Sequence, residues 1–194
     1  MSKLTKEKKL QIIKAAAKRF DKHGIGKTTL NEIARDLRIG KATLYGYFES
    51  KENIFFSVLE WEGSQYLEEV KAIFDKEDIP VRNRFLEYFK SKENLSQRYK
   101  LMIDSIFQVL EDKALEPEIA FVKNLFNNEE ELIKSVLLKA KGIKENALDS
   151  SLPVFIILKS WGLGFSSKLQ RNSRPDKISP IDDILLKLID YYLL

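Results

Sequence analysis

The sequence predicts an all-α protein of about nine helices. Three observations lead there: apolar residues recur at helical spacing along most of the chain, the alternation expected of strands is scarce, and no internal repeat, low-complexity tract or long linker interrupts the pattern. With 194 residues, 44% of them hydrophobic and 32% charged, the chain is long enough to bury a substantial core without disulfide or metal staples.

Leu10, Ile13, Ala17 and Phe20 form one stripe of a first helix, which should stop at the glycine of "KHG". A short second helix begins in "TTLNEIARDL". There Thr29 and Glu32 have capping-box spacing, and Leu30, Ile33, Ala34 and Leu37 supply the buried face. Two or three residues of turn follow Arg38. A third helix starting near Gly40, in "GKATLYGYF", would bury Ile39, Leu44 and Phe48. Ser50 is placed to cap a long fourth helix reaching about Asp75, with Gly63 its weak point.

A fifth helix is expected over 80–90, a sixth over 95–111 and a seventh over 117–141. In the sixth, Leu95, Tyr99, Met102, Ile103, Ile106, Phe107 and Leu110 read as one continuous stripe. Residues 152–170 and 180–193 close the chain. The last of these helices opens on Ser179 as cap with Pro180 at its first position.

Composition removes several function classes. There is no cysteine and one histidine, His23, so thiol redox chemistry, cysteine-ligated zinc and histidine-based acid–base catalysis lack their residues. Glycine-rich phosphate loops, metal-ligand spacings and nucleophile–base pairs are also missing from the sequence, so neither an enzyme nor a cofactor is expected. The N-terminus mixes lysines through its apolar residues, unlike a signal peptide, and the longest apolar run, "LPVFIIL", is far short of the roughly 20 residues of a membrane span. No membrane partner and a cytoplasmic location are expected.

Charge is divided unevenly. Residues 1–51 carry 13 Lys/Arg against 5 Asp/Glu, a net of +8, whereas the remaining 143 carry 20 against 24, a net of −4. Such a division suits an anionic partner docking at one end, although a lysine-rich helix face is also commonly just solvated.

Two short helices joined by a tight turn and braced by a longer one describe a helix-turn-helix, whose second element lies in the DNA major groove. Lys41, Ala42 and Thr43 are the outward residues of that element. Lys41 has the reach for a guanine edge or a phosphate, and Ala42 is small enough for close approach. Tyr45 and Tyr47 offer hydroxyls to phosphate oxygens, Tyr45 being equally suited to packing. Lys51 sits in the first turn of the fourth helix, and Thr28, Thr29 and Asn31 at the start of the second form another phosphate grip.

"TTLNEIARDL" followed by "RIGKATLYGYFESKENIF" resembles the tetracycline-repressor (TetR) family of bacterial transcriptional regulators. The motif spans Thr28 to Ile54 and covers, with its surroundings, about a quarter of the chain; length and helix count alone match elsewhere. The resemblance implies a DNA-binding domain over 1–50 and a ligand-binding and dimerisation domain over 51–194. It further implies a homodimer on a palindromic double-stranded DNA operator, released by a ligand, with Lys41, Ala42, Thr43, Tyr45, Tyr47 and Lys51 facing DNA. Arg38, Gly40 and Gly46 depart from the family pattern. Arg38 stands where a turn glycine is common and would need a left-handed backbone.

The expected effector is small, apolar or aromatic and not strongly charged. Trp61, Tyr66, Met102, Phe107, Phe121 and Trp161 are the expected pocket lining. The expected dimer interface draws on Phe155, Leu158, Gly162, Phe165, Ile181, Leu185, Leu188 and Tyr192 from the last two helices, whose apolar faces need cover on several sides. A non-specific helical DNA-coating or adaptor protein is the alternative.

Overall fold

A computed structural model describes residues 3–141, 152–158, 160, 161 and 187. Among them there is no strand. Eight helices run in order: α1 (Lys3–His23), α2 (Leu30–Asp36), α3 (Lys41–Tyr45), α4 (Lys51–Phe74), α5 (Val81–Ser91), α6 (Leu95–Arg98), α7 (Lys100–Leu110) and α8 (Glu116–Lys141). Residues 152–158 and 160–161 add a ninth helical stretch. The helix expected over 180–193 lies outside the described residues except for Lys187, as does the end of the one expected over 152–170.

Packing divides the chain into two units. One comprises Met1–Gln65 and Tyr99–Val122, the other Tyr66–Arg98 and Lys123–Leu194. This is a grouping by contact, distinct from the functional division at 50/51 that the resemblance implies.

In the first unit, α1 packs on α2 and α7. Ile12, Ile13, Ala16, Ala17 and Phe20 of α1 meet Ile33, Ala34, Leu44, Phe48, Ile54, Val58, Leu59 and Leu101 in one buried cluster. Leu10, expected in the α1 stripe, is instead exposed. At 100° per residue it falls at the edge of the arc centred on Ala16 and Phe20, where the neighbouring helices no longer cover it. Gly24 ends α1 with φ +78, and its N–H donates to the Phe20 carbonyl at 2.8 Å. Glycine is the residue that reaches this left-handed stop without a steric penalty.

The expected sixth helix is two helices. Tyr99 (φ −134, ψ 58) interrupts it, separating α6 from α7. The interruption exposes backbone donors at the start of α7, and Glu62 of α4 supplies the acceptor: its Oε2 takes the Met102 N–H at 2.8 Å. A carboxylate at a helix N-terminus also complements the helix dipole. Leu110, at the other end of the predicted stripe, is exposed.

Glu62 is 6% exposed. Burial drives its pKa up to about 7, the amides of Met102 and Leu101 pull against that, and the charges of Asp21 and Asp104 push it further up. The native state therefore binds more protons at this site than the unfolded chain between pH about 4.5 and 7, and stability contributed here falls as pH rises through that window. Glu62→Gln keeps an acceptor for Met102 without a charge. Its unfolding free energy should exceed that of the parent at pH 8 by on the order of 2 kcal/mol and match it near pH 4, as read from urea titrations at both pH values.

Candidate nucleic-acid interface and expected pocket residues

The turn between α2 and α3 fixes how α3 is presented. Ile39 N–H donates to the Ala34 carbonyl at 3.0 Å and Arg38 N–H to the Arg35 carbonyl at 3.0 Å, with Arg38 at φ 52. These are the two bonds of a Schellman stop, closed here by an arginine in the left-handed position that usually belongs to glycine. At the start of α2, Thr29 and Glu32 form the reciprocal capping box that their spacing predicts. Arg19 of α1 ties down the end of the helix by donating from Nε and Nη2 to the Asp36 carboxylate at 2.5 and 2.9 Å.

α3 begins after Gly40, which has extended backbone (φ −69, ψ 149) and no side-chain cap, and ends at Gly46. Leu44 and Phe48 are buried in the core of the first unit, with Ile39 and Tyr47 packed against them. Because Leu44 points inward, Lys41, Ala42, Thr43 and Tyr45 face outward, and all four are exposed. Lys41 Nζ lies 5.6 Å from the centroid of the Tyr45 ring, a cation–π contact that holds the ammonium over the outward face. Tyr45 is exposed while Tyr47 is half-buried.

Two expected contacts, Thr28 and Lys51, have a different setting. Thr28 is 1% exposed, and its hydroxyl donates to the Gly24 carbonyl at 2.9 Å, so its side chain locks the turn after α1 rather than facing outward. Lys51 Nζ donates to the Ile25 carbonyl at 2.8 Å, bracing that same turn from α4. Thr29 and Asn31 are exposed, the Thr29 side chain being engaged in the capping box. Ser50 caps α4, accepting from the Asn53 N–H at 3.1 Å.

Of the expected pocket residues, Trp61, Met102, Phe107 and Phe121 belong to the first unit and Tyr66 and Trp161 to the second. Trp61 and Phe121 pack against the α1–α4 core, with Lys14 Nζ 5.9 Å from the Trp61 ring centroid, and Met102 is fully buried. In the second unit the Tyr66 and Trp161 rings meet with centroids 5.4 Å apart.

Beside those two rings lies a group that sequence reading missed, the buried pair of Lys92 and Glu129, 1% and 0% exposed. Glu129 Oε1 accepts from Lys92 Nζ and the Tyr66 hydroxyl, and from the Tyr88 hydroxyl at 2.7 Å. Its Oε2 accepts from Trp161 Nε1 at 2.7 Å. Burial pushes the Lys92 ammonium down to about 8, against the pull of Glu129, and burial together with the Glu129 charge pushes both tyrosines well above their usual values. No local spacing announces this pair. The one signal is a lysine inside the mixed stretch at the end of α5 that no predicted face assigns to solvent.

The expected dimer residues Gly162, Phe165, Ile181, Leu185, Leu188 and Tyr192 lie outside the described residues. Phe155 and Leu158 are described and exposed, Leu158 by 64%, alongside exposed Val154, while Ile156, Ile157 and Trp161 of the same stretch are buried.

Residues 12–58 match the family described as "Bacterial regulatory proteins, tetR family". That segment is similar to the family's helix-turn-helix domain. α2, the turn and α3 all lie within the matched segment. An HTH-type transcriptional regulator of Staphylococcus aureus (strain USA300) is 28% identical over 140 residues, 70% of this chain and 72% of the relative. Another from the bovine strain RF122 / ET3-1 is 32% identical over 84 residues, 42% of this chain and 45% of the relative.

The fold is shared with solved structures of low identity. Reduced E. coli NemR aligns with a TM-score of 0.68 at 14% identity, covering 95% of this chain and 96% of that one. Bacillus subtilis FadR, solved in complex with stearoyl-CoA, aligns at 0.62 with 16% identity and covers 95% of each. No helix among the described residues is long and apolar enough to cross a membrane.

Proposed function

We propose that this chain is a tetR-family regulator, a cytoplasmic repressor that grips a palindromic operator as a homodimer and lets go when a small apolar or aromatic effector enters residues 51–194. The observation carrying the reading is the outward face of α3. Lys41, Ala42, Thr43 and Tyr45 are exposed together on a helix whose opposite side, Leu44, is sunk in the core. A five-residue helix with that polarity presents a narrow, partly basic edge that fits a major groove. Tyr47, Thr29 and Asn31 flank it as contacts to the phosphate backbone; Thr28 contributes through the turn it stiffens.

The two copies would pair through the exposed apolar residues Val154, Phe155 and Leu158 and the remaining expected interface residues. An effector lodged near Tyr66 and Trp161 would shift α4, which carries both Tyr66 and Lys51. Displacing the recognition helices from successive major grooves, about 34 Å apart, would weaken binding by roughly 5- to 150-fold, the range for couplings of about 1–3 kcal/mol.

Selection from a random-sequence duplex pool tests the operator reading. An inverted repeat with half-sites one helical turn apart is the expected result, whereas equal affinity for selected and random duplexes would favour a non-specific coating protein.

Lys51 carries a separate prediction. Its ammonium has three protons, and the Ile25 carbonyl takes one. Lys51→Met should cost about 1 kcal/mol of stability through the lost brace and flatten the plot of log K against log[salt] by about 0.9 for one lost phosphate contact. An unchanged slope with lowered stability would confine Lys51 to the brace.

A further inference from the structure

Lys92 stands at the C-cap of α5 with its side chain turned inward. Its Nζ lies 4.7, 4.4 and 4.5 Å from the ring centroids of Tyr66, Tyr88 and Trp161, and it bonds the Glu129 carboxylate and the Tyr66 hydroxyl. Three aromatic rings and one carboxylate about a single nitrogen are surroundings in which proteins bind organic ammonium groups.

Two features separate this cage from an ordinary internal ion pair. The carboxylate is held by groups other than the lysine, namely the hydroxyls of Tyr66 and Tyr88 and the Trp161 N–H. Tyr88 is fixed in turn by Ser160 at 2.9 Å, and Ser160 donates to the Ile157 carbonyl at 2.9 Å. The cage thus has its own scaffold and stays aligned for whichever cation occupies it.

The lysine, by contrast, hangs from the end of a helix. α5 finishes at Ser91, and two residues beyond Lys92 the chain turns through Asn94 at φ 60. Swinging the Lys92 side chain out breaks no helical turn. A buried ion pair gives little stability over apolar residues of equal volume, so stability alone does not account for the constellation.

We propose that Tyr66, Tyr88, Trp161 and Glu129 form a binding site for the ammonium group of a protonated organic amine, and that Lys92 is the chain's own occupant, displaced when the amine binds. The proposal rests on the reading of residues 51–194 as effector-binding, and amends it by adding a positive charge to an apolar or aromatic body. Hydrogen bonds from Lys92 to Glu129 and Tyr66 specify a cation with N–H donors. Phe126, edge-on to Trp161 at 5.4 Å, and Phe74, 5.2 Å from Tyr88, extend the aromatic wall for the body of the ligand.

The test uses the full-length protein with 2-phenylethylammonium and its uncharged counterpart 2-phenylethanol, read by thermal shift and calorimetry. The amine should raise the melting temperature of the parent protein where the alcohol at equal concentration does not. Lys92→Met, which removes the internal competitor, should bind the amine at least about tenfold tighter than the parent does, with no comparable gain for the alcohol. Glu129→Gln in the Lys92→Met background should erase the preference. Should Lys92→Met fold poorly alone, recovery with the amine and not with the alcohol is the same expected result.

Equal responses to amine and alcohol, or none to either, in both proteins would overturn the site while leaving a ligand-responsive regulator standing. Charge-selective binding that leaves affinity for the selected operator unchanged would uphold the cation site and overturn the effector role beneath it.

Discussion

Glu129→Ala is expected to lower stability by about 3–5 kcal/mol, because it strands the Lys92 ammonium in a cage that water does not reach. Lys92 and Glu129 are 1% and 0% exposed, and the ammonium is already strained toward its neutral form, with a pKa near 8. Alanine removes the carboxylate and also leaves two tyrosine hydroxyls and an indole N–H without the acceptor they share. Replacing both ions, as in Lys92→Met/Glu129→Leu, should recover the part of the loss due to the stranded ammonium but keep the cost of the hydroxyls and indole N–H left without an acceptor. Urea denaturation of the parent, both single variants and the double variant measures all four corners. A Glu129→Ala loss below about 1 kcal/mol would mean that solvent reaches the pair.

The second large effect is expected in the first unit. Leu44 is fully buried between α1, α2 and α4, and Leu44→Ala should cost about 2–5 kcal/mol through lost transfer energy and the cavity it leaves. Operator affinity should fall with it, because α3 has five residues and little besides this anchor to hold its outward edge. Lys41→Ala provides the contrast: its side chain is exposed, so DNA binding should weaken while the melting temperature stays within a degree or two of the parent. Comparing calorimetric melting with fluorescence-anisotropy titration separates the two. Parallel losses in both variants would mean that Lys41 acts through folding and not through DNA.

The DNA-binding segment was legible because its signals are local. Thr29 and Glu32 announce the start of α2, Gly24 the end of α1, and the spacing of Leu44 and Phe48 the inner face of α3. Even the strained backbone of Arg38 could be expected, since a turn position that favours glycine leaves an arginine few alternatives. Thr28 was misread for an equally local reason: a hydroxyl four residues after Gly24 can bond back to that carbonyl, a choice that residue type alone does not decide.

Longer-range features were not legible. The apolar stripe from Leu95 to Leu110 gave no hint of the break at Tyr99, because the stripe continues in phase across it. What completes the break is a carboxylate from another helix, Glu62 reaching Met102. Lys92 and Glu129 are 37 residues apart in sequence and are joined to Trp161 only in the folded unit. Nothing in periodicity marks a lysine as an inward ion.

The pairing of Lys92 with Glu129 also bears on how this chain changes over generations. Losing either charge first would place the protein several kcal/mol below its parent, whereas losing both restores the part of that difference due to the stranded charge. One-at-a-time substitution therefore meets a fitness valley at this position. Lineages should keep the lysine and the carboxylate together or lack them together, while the exposed outward residues of α3 are each free to vary alone without disturbing the core.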